Sequence, residues 1–168
     1  VHRGVHTLSD ESTELFHRSR QTVATFLGAK LSELILVRNT TEAINQVVYS
    51  WAEPHLQAGQ VVLLTELEHH SNLIPWQELA RRTQLQLKFV PVLADGRLDQ
   101  AAFTQLMIEN PVAVLVCSHV SNALGTRLPV AALASQLKAR HPQAKIVVDG
   151  AQAAPHLPVN FAQLGVDF

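Results

Sequence analysis

The sequence holds one cysteine, Cys117, in 168 residues. A lone thiol cannot close an internal disulfide, so the chain is no disulfide-stapled scaffold, and it fits a reducing compartment. Charge is scarce as well. Only 16% of residues are Asp, Glu, Lys or Arg, and 13 basic against 14 acidic side chains leave a net charge of −1. No basic stripe argues for nucleic acid, and no run of like charge reads as a tail. Long apolar runs are missing, so the sequence offers neither a bilayer span nor the core of a signal peptide. Neither G-x-G-x-x-G nor G-x-x-x-x-G-K occurs, which removes the dinucleotide and P-loop fingerprints. Internal repeats, low-complexity tracts and linkers are absent too.

Apolar residues are plentiful. They make up 47% of the chain, enough for the core of one domain or of a slice of a larger one. The chain opens at Val1 inside a patterned segment and stops at Phe168 in mid-pattern, so both ends read as cuts. The spacing predicts an amphipathic helix over 9–27, with Ser9 as N-cap and Gly28 past the last turn. It predicts strands at 33–37, 61–65, 85–90, 112–117 and 145–148. Helices are expected from Asn39 to about 55, from 74 or 75 to 83, from Asp99 to 107 and over 129–140, with a turn at Asp95-Gly96. Asn39 and Glu42 resemble the two halves of a capping box. Most strands are apolar throughout, and they alternate with helices. That pattern argues for a three-layer α/β/α fold with a mostly parallel sheet covered on both faces. Ligands of such sheets sit beyond the carboxyl ends of the strands.

Polar clusters follow the predicted strands. Asn39-Thr40-Thr41 opens a helix, where free N–H groups and two hydroxyls suit a phosphate, although a simple N-cap uses the same residues. Glu68-His69-His70-Ser71-Asn72 offers an imidazole for stacking and proton exchange, against a plain solvated loop. Zinc fits poorly, because adjacent histidines diverge and lack i, i+4 spacing. In His119-Val120-Ser121-Asn122 the Asn amide suits a carboxylate, or braces its own loop. Cys117 ends an apolar strand and reads as a small core residue, not a nucleophile. Asp149 closes the apolar strand Val147-Val148, and Gln152 lies three residues on. A carboxylate buried there needs a cationic or multi-donor partner. A pyridinium N–H is such a partner; a helix cap or a Mg²⁺ ion are the other readings.

Several segments resemble, in order, the SufS-type cysteine desulfurases, class V of the fold-type I pyridoxal phosphate (PLP) enzymes. They are Val-His-Arg-Gly-Val-His-Thr-Leu-Ser (1–9), Arg38-Asn39-Thr40-Thr41-Glu42-Ala43-Ile44-Asn45, Glu68-His69-His70-Ser71-Asn72, Pro75-Trp76, Asp95-Gly96, His119-Val120-Ser121-Asn122 and Val148-Asp149-Gly150-Ala151-Gln152. Essentially the whole chain is covered. The resemblance implies that residues 1–168 are part of a large PLP-binding domain. It implies that Thr40 and Thr41 hold the PLP phosphate, and that His69 stacks on the ring and relays protons. Asp149 pairs with the pyridinium nitrogen, Gln152 bonds the ring oxygen, and Asn122 binds the substrate carboxylate. His2 and Arg3 fall at the active-site mouth and dimer interface. Asn39 stands where the family commonly has Gly, a place where a left-handed or tight backbone suits Asn.

The implied reaction converts L-cysteine to L-alanine and leaves a persulfide for an acceptor protein and iron–sulfur cluster assembly. A homodimer in the cytoplasm, or in a plastid stroma, goes with it, and no metal, nucleic acid or membrane does. The lysine that carries PLP in this family follows soon after the position of Phe168, and Lys30, Lys88, Lys138 and Lys145 stand in other contexts. The nucleophilic cysteine is likewise implied outside this segment, so the segment alone is expected to be inactive. A selenocysteine lyase, a kynureninase-like hydrolase, or a piece that only binds a partner are the competing readings.

Overall fold

The computed structural model describes Gly4 and residues 6–168, and the expectations for His2 and Arg3 lie outside the described residues. Strands β1 (Val61–Thr65), β2 (Gln86–Val90), β3 (Val112–Ser118) and β4 (Lys145–Asp149) form one sheet of order β2-β1-β3-β4. All three pairings are parallel. Around the sheet lie α1 (Thr7–Phe26), α2 (Thr40–Val47), α3 (Glu53–His55), α4 (His70–Thr83), α5 (Gln100–Glu109), α6 (Val130–Arg140) and α7 (Phe161–Leu164). No helix among the described residues is long and apolar enough to cross a membrane.

The apolar runs explain the layers. β1 is buried at all five positions, and successive side chains of a strand point to opposite faces. Val61 and Leu63 join Phe103 and Met107 of α5 and Leu133 and Leu137 of α6 in one core. Val62 and Leu64 join Ile44 of α2 and Trp76 and Leu79 of α4 in the other. The sheet is therefore covered on both sides, as the sequence pattern implies. Beyond β4, Val148 N donates to Phe168 O at 2.9 Å and Phe168 N donates to Ile146 O at 3.1 Å. That is the bonding of a parallel ladder. Asp167 anchors this edge, accepting from Lys145 Nζ at 2.9 Å and from Ile146 N at 3.0 Å, and pairing with Lys138 at 3.1 Å.

The structure departs from the predicted elements in five places. Residues 34–37 form no strand; a 3-10 turn, Leu31–Glu33, leads into extended chain in which Ile35 and Leu36 are exposed. Apolar composition alone does not make a strand where no neighbouring strand supplies hydrogen bonds. Helix α1 starts at Thr7, capped by His6, whose Nδ1 accepts from Ser9 N; Ser9 lies inside the helix. Helix α4 starts at His70, four residues before the expected Ile74, with Pro75 inside it. The helical stretch after Asn39 continues to His55 only through a π-turn at Val48–Ala52. Pro54 lacks the N–H that would close a regular turn there. Asn39 itself is extended (φ −168°, ψ 172°), so its position makes no left-handed demand. Its Oδ1 does cap Glu42 N at 2.9 Å, but the Glu42 carboxylate reaches back one residue further than expected, to Arg38 N.

Candidate functional site

A parallel sheet brings the carboxyl ends of its strands to one edge. Here β1 ends in Thr65, β3 in Ser118 and β4 in Asp149, with Ser118 directly opposite Asp149 in the ladder. A cleft of about 200 Å³ opens at this edge, lined by Thr40, His69, Ser71, Ser118, Val120, Asn122, Asp149, Ala151 and Gln152. Five of the residues singled out from the sequence thus meet in one place. Thr41 stands just behind them, its hydroxyl donating to Ser71 Oγ at 2.9 Å. The four lysines are elsewhere. Lys30 pairs with Glu33, Lys138 and Lys145 pair with Asp167, and Lys88 is in β2.

Asp149 is only 8% exposed. Its main-chain oxygen accepts from His119 N, and Oδ1 accepts from Ala151 N at 2.9 Å. Oδ2 has no hydrogen-bond partner among the described residues. An acceptor set at the wall of a cleft with spare lone pairs is costly unless a ligand or water supplies the donor.

His69 caps α4. Ser71 N donates to its Nδ1 at 3.1 Å, and Ser71 Oγ lies 3.0 Å from the same nitrogen. A main-chain N–H can only donate, so Nδ1 is an acceptor and the proton of the neutral ring sits on Nε2. The His70 ring lies 6.2 Å from that of His69, centroid to centroid, tilted by 46°, and does not line the cleft with Asp149. Among the described residues no three His, Cys, Asp or Glu side chains gather as metal ligands.

Behind the cleft lies a buried polar cluster. The Glu68 carboxylate accepts from Asn72 Nδ2 at 2.7 Å, from Ser118 Oγ at 2.8 Å and N at 3.0 Å, and from Thr65 Oγ1. Burial pushes the Glu68 carboxyl above its ordinary pKa, and the hydrogen bonds from Thr65, Ser118 and Asn72 only partly offset it. Cys117 is fully buried beside this cluster. Burial first, and the Glu68 charge second, push its thiol up, so the thiolate is suppressed and the core-residue reading holds.

The loop after β3 is braced by a side chain other than Asn122. Ser121 is the brace, its Oγ accepting from Ala123 N and Leu124 N at 3.3 Å each. The Asn122 side chain is exposed at the cleft with no partner among the described residues, and the same holds for Gln152. The sequence places Glu68, Ser71 and Ser118 in polar clusters after strands but assigns none of them a role of its own. Ser118 lay one residue past the predicted end of its strand, and Ser71 lay in a stretch read as loop. A capping His69 followed two residues on by a hydroxyl was the available signal for Ser71. A larger cleft of about 500 Å³ lies at the opposite, amino edge of the sheet, beside Trp51, Pro111 and Arg140. Its size is no argument for chemistry. His55 and His141 there are bonded to main-chain oxygens, and Lys145 is held by Asp167.

Known proteins share this arrangement of elements. A cysteine desulfurase from Klebsiella pneumoniae subsp. pneumoniae is 44% identical over 169 residues, taking in 100% of this chain and 41% of the relative. The apo structure of a cysteine desulfurase from Thermococcus onnurineus NA1 superposes with a TM-score of 0.92 at 37% identity, over 99% of this chain and 40% of that one. A mutant of C-DES with glycine covalently linked to its PLP cofactor superposes with a TM-score of 0.82 at 25% identity, over 98% of this chain and 43% of that one. The chain spans between about a quarter and two fifths of the length of the curated relatives it matches. The aminotransferase class-V family model matches residues 1–168, and the chain belongs to that family.

Proposed function

We propose that this chain is the part of a PLP-dependent cysteine desulfurase that grips the cofactor's ring and phosphate. The observation that carries the reading is Asp149: a carboxylate set in the cleft wall, with Oδ2 unmatched, where Thr40, His69, Asn122 and Gln152 converge. The names of the similar proteins support the substrate, and the C-DES structure supports the cofactor. The donor set fits PLP. An anion is matched by the amino end of α2 with its two hydroxyls, a ring N–H by Asp149, and a ring oxygen by the Gln152 amide.

When bound, PLP supplies an electron sink for the α-carbon of an amino acid. Asp149 Oδ2 accepts the ring N–H and holds that proton in place. The N–H groups and hydroxyls of Thr40 and Thr41 bind the phosphate. His69 covers one face and exchanges a proton at Nε2, because Nδ1 is spent on Ser71. The Asn122 amide donates to the carboxylate of L-cysteine. Cys117 is sealed in the core, so the thiolate that takes the sulfur comes from outside these residues, as does the lysine that binds the cofactor. In this reading the whole protein is a cytoplasmic homodimer of the SufS branch, with His2 and Arg3 at the dimer contact. It leaves L-alanine and passes persulfide sulfur to an acceptor protein for iron–sulfur cluster assembly.

The test uses the full-length protein that carries this chain. Titration with PLP should produce a visible absorption band, and L-cysteine should yield alanine and, with a thiol reductant, sulfide. Turnover of L-selenocysteine or L-kynurenine with none of L-cysteine would assign a different member of the class. No PLP band at all would remove the cofactor reading.

A further inference from the structure

The geometry points to Ser71 as a positioning residue that couples the anion cradle at the start of α2 to the His69 ring at the start of α4. Three contacts carry it. Thr41 Oγ1 donates to Ser71 Oγ at 2.9 Å. Ser71 Oγ lies 3.0 Å from His69 Nδ1. Ser71 N donates to the same Nδ1 at 3.1 Å. Because Nδ1 already accepts from an N–H, it carries no proton, and the Ser71 hydroxyl proton is the one that points at it. Ser71 Oγ then has only lone pairs for Thr41. The result is a one-way chain of donors, Thr41 to Ser71 to His69.

This chain responds to an anion, and the inference rests on the proposed phosphate cradle. A charged phosphate oxygen is a stronger acceptor than a neutral hydroxyl. An anion at Thr40 and Thr41 therefore draws the Thr41 hydroxyl away from Ser71. Losing its donor, the Ser71 hydroxyl is less polarised, and its bond to Nδ1 weakens, since linked hydrogen bonds reinforce one another. Occupancy at one helix start is thereby reported to the ring nitrogen at the other. Neither Thr41 nor Ser71 need touch the reacting atoms for this. Ser71 sets the acceptor state of His69 and so keeps the movable proton on Nε2.

The experiment uses the full-length protein, without PLP, labelled with ¹⁵N-histidine; the His69 signal is identified by its loss in His69→Asn. Inorganic phosphate is the probe, and calorimetry follows its binding. In the unmodified protein Nδ1 should give the signal of an unprotonated nitrogen, and phosphate should shift it. In Ser71→Ala phosphate should still bind, and most of that shift should vanish. Ser71→Thr, which keeps the hydroxyl, should restore it. An equal shift in Ser71→Ala, or a protonated Nδ1 without phosphate, would overturn the coupling while leaving the cradle standing. Absence of phosphate binding in the unmodified protein would overturn the cradle, and the coupling with it.

Discussion

Glu68 sits where β1, β3 and α4 meet, and Asn72 and Ser118, which donate to it, are buried. Glu68→Ala leaves those donors without an acceptor, and the expected loss is about 3 kcal/mol of folding stability, measured by urea denaturation. Its pH dependence has a definite sign. Burial raises the folded-state pKa above the ordinary glutamate value of about 4.3. In that window the folded chain holds a proton that the unfolded chain has lost. The stabilisation is complete below the ordinary value and declines as pH rises through the folded one. Glu68→Gln should flatten that decline, and an unchanged slope would show that Glu68 does not titrate there. At this scale the sequence was informative about charged and amide groups at strand ends, hence Asp149, Asn122 and Gln152. It placed Glu68 in a polar cluster but gave it no role, because that role depends on partners up to 50 residues away in the chain.

At the level of elements, β1, β3 and β4 were legible because each is a short apolar run closed by a polar residue, whereas β2, with Gln86 and Lys88 in it, is a mixed edge strand. Errors arose where the local pattern was ambiguous. The polar run before Pro75 reads as loop because proline is best tolerated in a helix's first turn, yet α4 begins at His70 and carries Pro75 as its sixth residue. Residues 33–37 read as a strand and are not one among the described residues, because pairing is a property of two segments. Asp167 gives the edge of β4 a testable anchor. Burial opposes its ionisation, but the bonds from Lys145, Lys138 and Ile146 N outweigh it, and its pKa lies below the ordinary value. The contribution is therefore present above about pH 3.9 and is lost as pH falls through the folded-state value. Asp167→Asn should cost about 1 kcal/mol, since both lysines are partly solvated, and the cost should shrink in high salt. A thermal melt of each protein at two salt concentrations checks this.

For the whole molecule, alternating helices and apolar strands were enough to assign a three-layer parallel fold, because burial on both faces leaves no other pattern. The convergence of the cleft residues was also foreseeable, since a parallel sheet delivers every strand end to one edge. What could not be read was which side chains would be spent on one another, such as Ser71 on His69 and Ser121 on its own loop. All four lysines lie away from the cleft. The 168-residue chain alone is therefore expected to release no sulfide from L-cysteine. Borohydride reduction with PLP should give no stoichiometric adduct at one lysine, and such an adduct would place the cofactor's anchor within these residues.

In the proposed function Asp149 holds the ring nitrogen of the cofactor. The most direct test of that role is Asp149→Asn in the full-length protein, with PLP absorption and L-cysteine turnover followed together. An amide cannot stabilise a charged ring nitrogen as a carboxylate does. The variant should be a folded protein with an altered PLP spectrum and turnover lower by about 100- to 1,000-fold, the size of effect expected when one dominant electrostatic partner is removed. An unchanged spectrum with near-normal turnover would contradict that role.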